Sequence, residues 1–89
     1  MSAVERIRVA VLSEAQRLKQ VVTGERQRLE IEALIHELNA VPFDVHRLYN
    51  VMRRLHALRD ELRGKADVKL PSFNEVREVA MSIIGGGSK

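Results

Sequence analysis

The side chains able to bind a metal or shuttle protons near neutral pH are three histidines, His36, His46 and His56, which stand ten residues apart. A zinc pair on one helix needs two ligands on adjacent turns, three or four residues apart, and no two of these histidines meet that spacing. Glu32 with His36 and His56 with Asp60 are i, i+4 pairs that could supply part of a metal site; on exposed helices such pairs commonly make only a weak polar contact. There is no cysteine, which excludes disulfides, thiol catalysis and Cys-ligated zinc. Ser13, Ser72 and Ser82 have no nucleophile-elbow context, and Gly85-Gly86-Gly87 is not followed by the helix that a phosphate-cradling loop opens. These residues predict a non-enzymatic protein with no metal, no cofactor and no small-molecule substrate.

Charge carries more information. The formal net charge is +3, but residues 46–65 hold six Lys and Arg against two acids, while the rest of the chain has nine against ten. One segment therefore holds the whole excess, and a localised basic surface favours acidic partners. Within it, His46, Arg47, Asn50, Arg53 and Arg54 fall inside about 120° of a helical projection, opposite an apolar stripe. Residues 31–55 can be read as a helix, a turn around residues 40–43 and a second helix, the order of elements in a helix-turn-helix. Arginine can bond guanine bidentately and asparagine adenine. The segment Val45-His46-Arg47-Leu48-Tyr49-Asn50-Val51-Met52-Arg53-Arg54-Leu55 resembles, in composition, the recognition helices of winged-helix regulators. That family places a glycine in the turn and a β-hairpin wing after the helix; this chain shows neither, and the family is not assigned. Three readings of the five residues follow: a face for an acidic protein, a duplex DNA contact, or a solvated surface.

The elements that would carry this face are helical throughout. Val4, Ile7, Val11, Ala15, Leu18 and Val22 recur at steps of three or four, predicting a helix over about residues 3–22. Ile31, Leu34, Ile35 and Leu38 form a second stripe over about residues 25–39. It lies roughly opposite the first if both are drawn as one helix, so a bend or break is expected near Gly24, with a continuous helix as the alternative. Asn39 to Asp44 reads as a connector, with Pro42 inside it and Asp44 as an N-cap. Val45, Leu48, Val51, Met52, Leu55, Leu58 and Leu62 then predict a helix over about residues 44–63, stopping at Gly64. Residues 65–70 lack periodicity and are expected to form a loop. Ser72-Phe73-Asn74-Glu75 matches the S-x-x-E capping box, opening a short helix over about residues 72–84 that buries Phe73, Val76, Ala80 and Ile83. Residues 85–89 read as a flexible Gly-rich tail. The fold expected is all-α: one domain over residues 1–84, a small antiparallel bundle or helical hairpin of three to four helices.

With 89 residues, 45% apolar and 30% charged, the chain is long enough for one folded domain and too apolar for general disorder. No apolar run approaches the roughly 20 residues of a membrane span, and no leader is evident near Met1, so a cytoplasmic protein without membrane contact is expected. Leu48, Met52, Leu55 and Leu62 approximate a heptad seam, which serves either the core or pairing with a second copy. A chain this short buries a limited fraction of its surface, which favours a homodimer. The functional expectation is a helical interaction module such as an adaptor, an assembly factor or a phage-type inhibitor of a host protein. It would present its basic helix to an acidic partner; a DNA-binding regulator using residues 31–55 is the alternative.

Overall fold

The computed structural model describes residues 2–86, with side-chain surroundings for all of these except residues 80 and 83–86. Among the described residues there are four helices: α1 (Ala3–Val21), α2 (Glu25–Leu38), α3 (Val45–Glu61) and α4 (Phe73–Gly86). Each boundary lies within two residues of the one predicted. The predicted stripes are the core: Val11, Ala15 and Leu18 of α1, Ile31, Leu34 and Leu38 of α2, and Leu48, Val51, Met52 and Leu55 of α3 are sealed from solvent, joined by Val76 of α4.

Local chemistry sets where each helix starts and stops. Ser2 caps α1, its hydroxyl accepting from the Glu5 amide at 3.1 Å. Helix α1 ends where Val22 and Gly24 turn extended. The question left open by the two stripes is settled here: the chain breaks and reverses. Arg8, near the start of α1, donates from Nη1 to the carbonyl of Leu38 at the end of α2 at 2.9 Å. The two helices are thus antiparallel, and the apparent half-turn between their stripes is what lets both face one core after the reversal. Asp44 caps α3 by accepting from the Arg47 amide at 3.0 Å. Its carboxyl is held below its usual range first by that bond, with His46 and Arg47 contributing through charge.

Helix α3 runs back alongside α2, tied at one end by Arg47 to Glu37 (3.1 Å) and at the other by Arg26 to Glu61. The Arg26 guanidinium, with Gln27, holds the Glu61 carboxyl below its ordinary value. After α3 the chain passes Gly64, whose φ of +83° is left-handed. A methyl group there would touch nothing within 4 Å, so Gly64→Ala isolates the backbone cost, about 1–2 kcal/mol. Thermal melting followed by circular dichroism should drop by roughly 4–16 °C, taking about 4–8 °C per kcal/mol for a domain of this size. An unchanged midpoint would mean that the turn does not hold this conformation.

The expectation that residues 65–70 lack any period is incomplete. They are not helical, but exposure alternates: Ala66, Val68 and Leu70 are half-buried against the core, while Lys65, Asp67 and Lys69 are exposed. That is the period of extended chain. The segment is a strap laid along α1, held where Glu14 accepts from the Lys69 amide at 2.6 Å and Arg17 donates to the Asp67 carbonyl. The strap delivers the chain to α4, whose capping box forms in both directions: Ser72 N to Glu75 Oε2 at 3.1 Å and Glu75 N to Ser72 Oγ at 3.3 Å. Helix α4 packs on α3 and α1 and continues to Gly86, two residues past the stop expected. Of the side chains expected inside it, Val76 is buried and Phe73 half-buried, whereas Ala80 and Ile83 lie outside the described side chains. So do residues 87–89 of the expected tail. The result is a small antiparallel helical bundle, 48 Å in its longest dimension.

Candidate interaction surface

The amphipathic period of α3 decides which side chains reach solvent. With Leu48, Val51, Met52, Leu55 and Leu58 turned inward, His46, Asn50, Arg53 and Arg54 are left outside, and all four are exposed. Two neighbours border this strip. On one side Phe73, at the start of α4, lies against the rings of His56 and Tyr49, with centroid separations of 4.4 and 5.8 Å. The other border is α2.

Arg47 differs from the residues grouped with it. Its guanidinium is turned toward α2 and paired with Glu37 at 3.1 Å, and it is half-buried. A projection of one helix placed it among the exposed cations because the partner on the neighbouring helix is invisible to that projection. Arg53 and Arg54 have no such partner among the described residues. Arg53 donates to the amide oxygen of Asn50 at 3.1 Å, a neutral acceptor that orients the guanidinium without cancelling its charge. Acids of α2 and α3 have other tasks: Glu37 pairs with Arg47, Glu61 with Arg26, Asp60 with Arg63 at 3.3 Å and Glu30 with Arg26 at 3.5 Å, while Asp44 caps α3. Two adjacent arginines therefore stand uncompensated on an exposed helix face.

The remaining candidates sort differently. Leu48, Met52 and Leu55 are 0% exposed and Leu62 is 2% exposed, so the seam is consumed by the chain's own core and offers no surface for a second copy. His56 is half-buried with Nε2 at 3.1 Å from the Pro71 carbonyl, turned toward the strap and α4. His36 and Glu32 are both exposed on α2. Among the described residues no three His, Asp or Glu side chains gather as metal ligands would.

The antiparallel contact of α2 and α3 bears on the helix-turn-helix reading. That motif crosses its helices at about 90–120° so that the second helix projects from the body of the domain. Here ion pairs join α2 and α3 at both ends, and α3 packs against both α2 and α4. What it presents is a strip one helix wide with basic and amide groups.

Sequence reasoning missed Glu14 and Arg17. Glu14 is 11% exposed in its side chain and holds Arg17 at 2.6 Å as well as the strap amide. Arg17 first, and the Lys69 amide after it, keep the Glu14 carboxyl below its ordinary value against the opposing effect of burial. The i, i+3 spacing of Glu14 and Arg17 was the available signal, but it reads the same on any exposed helix.

Comparison with protein-family models, curated proteins and solved structures finds no match to this chain. Among the described residues no helix is long and apolar enough to cross a membrane.

Proposed function

We propose that this chain is a non-enzymatic interaction module whose α3 face, His46, Asn50, Arg53 and Arg54, docks an acidic surface of a partner protein. One observation carries the reading: Arg53 and Arg54 are exposed and adjacent with no carboxylate partner among the described residues, while Glu37, Asp60 and Glu61 are each paired with another arginine. Unpaired surface cations raise encounter rates with acidic faces and select against basic ones. A protein is favoured over duplex DNA because α3 is tied antiparallel to α2 at both ends and Arg47 is neutralised by Glu37. Arg47 is accordingly assigned to the α2–α3 contact and left out of the docking set.

The test is a charge reversal, Arg53→Glu with Arg54→Glu, compared with Lys19→Glu on exposed α1. Each tagged protein is used to capture partners from nuclease-treated lysate of the source cells. The α3 variant should keep its circular dichroism spectrum and lose the captured protein by at least tenfold, while the α1 variant keeps it. Equal capture by all three proteins would remove α3 from the interface. Duplex DNA is run in parallel by fluorescence anisotropy: binding whose affinity falls steeply between about 50 and 200 mM salt would replace the protein reading with the nucleic-acid one.

A further inference from the structure

A second surface lies away from α3, where α4 crosses the start of α1. A groove of about 520 Å³ opens there, floored by Val4, Ile7 and Val79. Its rims are charged with opposite sign: Arg6 stands on the α1 side, and Glu75 and Glu78 on the α4 side. All three are exposed, and among the described residues no ion pair joins the two rims. Beyond Arg6 on the same helix, Val9 is 45% exposed.

A groove with a cation on one rim and acids on the other is complementary to itself under one particular symmetry. With a two-fold axis running along the groove between two facing copies, α4 of each copy lies over α1 of the other. Arg6 then meets the partner's Glu78, and Glu78 meets the partner's Arg6, as an isologous contact requires. A two-fold axis across the groove would instead set arginine against arginine. We infer that this chain forms a homodimer through the α1–α4 groove, with a second copy of itself as the occupant. The inference uses the dimer that a short chain favours, but moves it from the α3 seam, which is buried, to a face that is open. It does not depend on the α3 docking face.

Sedimentation equilibrium tests it over roughly 1–500 µM protein, since a dimer of moderate affinity shows itself only through its concentration dependence. The wild type should pass from monomer to dimer within that range. Arg6→Glu and Glu78→Arg are each expected to weaken association at least about tenfold, because like charges then face each other across the axis. Both side chains are exposed, and Glu78→Arg leaves the Ser72–Glu75 cap intact, so the circular dichroism spectrum should not change. The decisive measurement mixes the two variants. One groove is then wholly acidic and the other predominantly basic, and a heterodimer should form at concentrations where each variant alone is monomeric. A wild type that stays monomeric throughout, a dimer indifferent to both substitutions, or a mixture that fails to associate would each overturn the proposal.

Discussion

Replacing Leu55 by Ala is expected to cost about 2–5 kcal/mol, a large share of the roughly 5–15 kcal/mol that holds a small domain folded, and enough to unfold many molecules at 37 °C if the total is about 5 kcal/mol. Leu55 is 0% exposed and sits mid-helix on α3, flanked by Val51, Met52 and Leu58, which are equally enclosed. Truncation removes the transfer free energy of the lost side-chain carbons and leaves a void that three packed helices close only in part. Urea unfolding followed at 222 nm reads the effect as a lower midpoint with an unchanged slope. Ala57→Gln on the same helix is the control. Ala57 is exposed, so the stability of this variant should stay within about 0.5 kcal/mol of wild type. If the two substitutions cost the same, the inward face assigned to α3 is wrong.

The second large effect is expected at Glu14. Glu14→Gln removes the charge that Arg17 pairs with and weakens the acceptor that holds the strap at Lys69, a loss of about 1–3 kcal/mol at neutral pH. The pH dependence follows from the direction of the shift. The Glu14 carboxyl sits below its ordinary value in the folded chain, so its stabilisation is complete above the unfolded-chain value, about 4.3, and is lost as pH falls through the lower folded value. Glu5, Asp44 and Glu61 are shifted the same way, by Arg8, by the Arg47 amide and by Arg26. Wild type should therefore lose stability on acidification below about pH 5. Glu14→Gln should be less stable than wild type at pH 7 and converge toward it at low pH. Parallel stability curves, with a constant gap from pH 7 to pH 3, would show that the carboxylate charge contributes nothing.

How much of this was legible beforehand depended on the period of each segment. The inward residues of α3 were readable one by one, because seven apolar positions over 18 residues leave no other face to bury. The caps at Asp44 and Ser72 were readable for a similar reason: a short polar side chain before an apolar run has a local hydrogen-bonding task that does not depend on the rest of the fold. The Ser2 cap carries the same S-x-x-E signature, though Glu5 spends its carboxylate on Arg8 and leaves the reciprocal half unmade. The strap was not readable as a packed element. Ala66, Val68 and Leu70 give three inward positions in alternation, too few to stand out beside helical stripes twice that length. The pairing of Arg47 with Glu37 was not readable either, since it depends on how α2 lies beside α3. That single contact changes the candidate face from five side chains to four.

The clasp between α1 and the strap joins groups 50 and 55 residues apart in the chain, whereas α1 meets α2 and α2 meets α3 across links of only a few residues. Closing a long loop costs more configurational entropy than closing a short one, and topologies built from local contacts assemble fastest. The first three helices can thus zip up as successive hairpins on nearest-neighbour contacts alone. The bonds from Glu14 and Arg17 to the strap form only afterwards, when the rest of the chain has been brought round. The order of assembly expected from this topology is local first: residues 66–86 close last over the three helices, because their clasp is the long-range one.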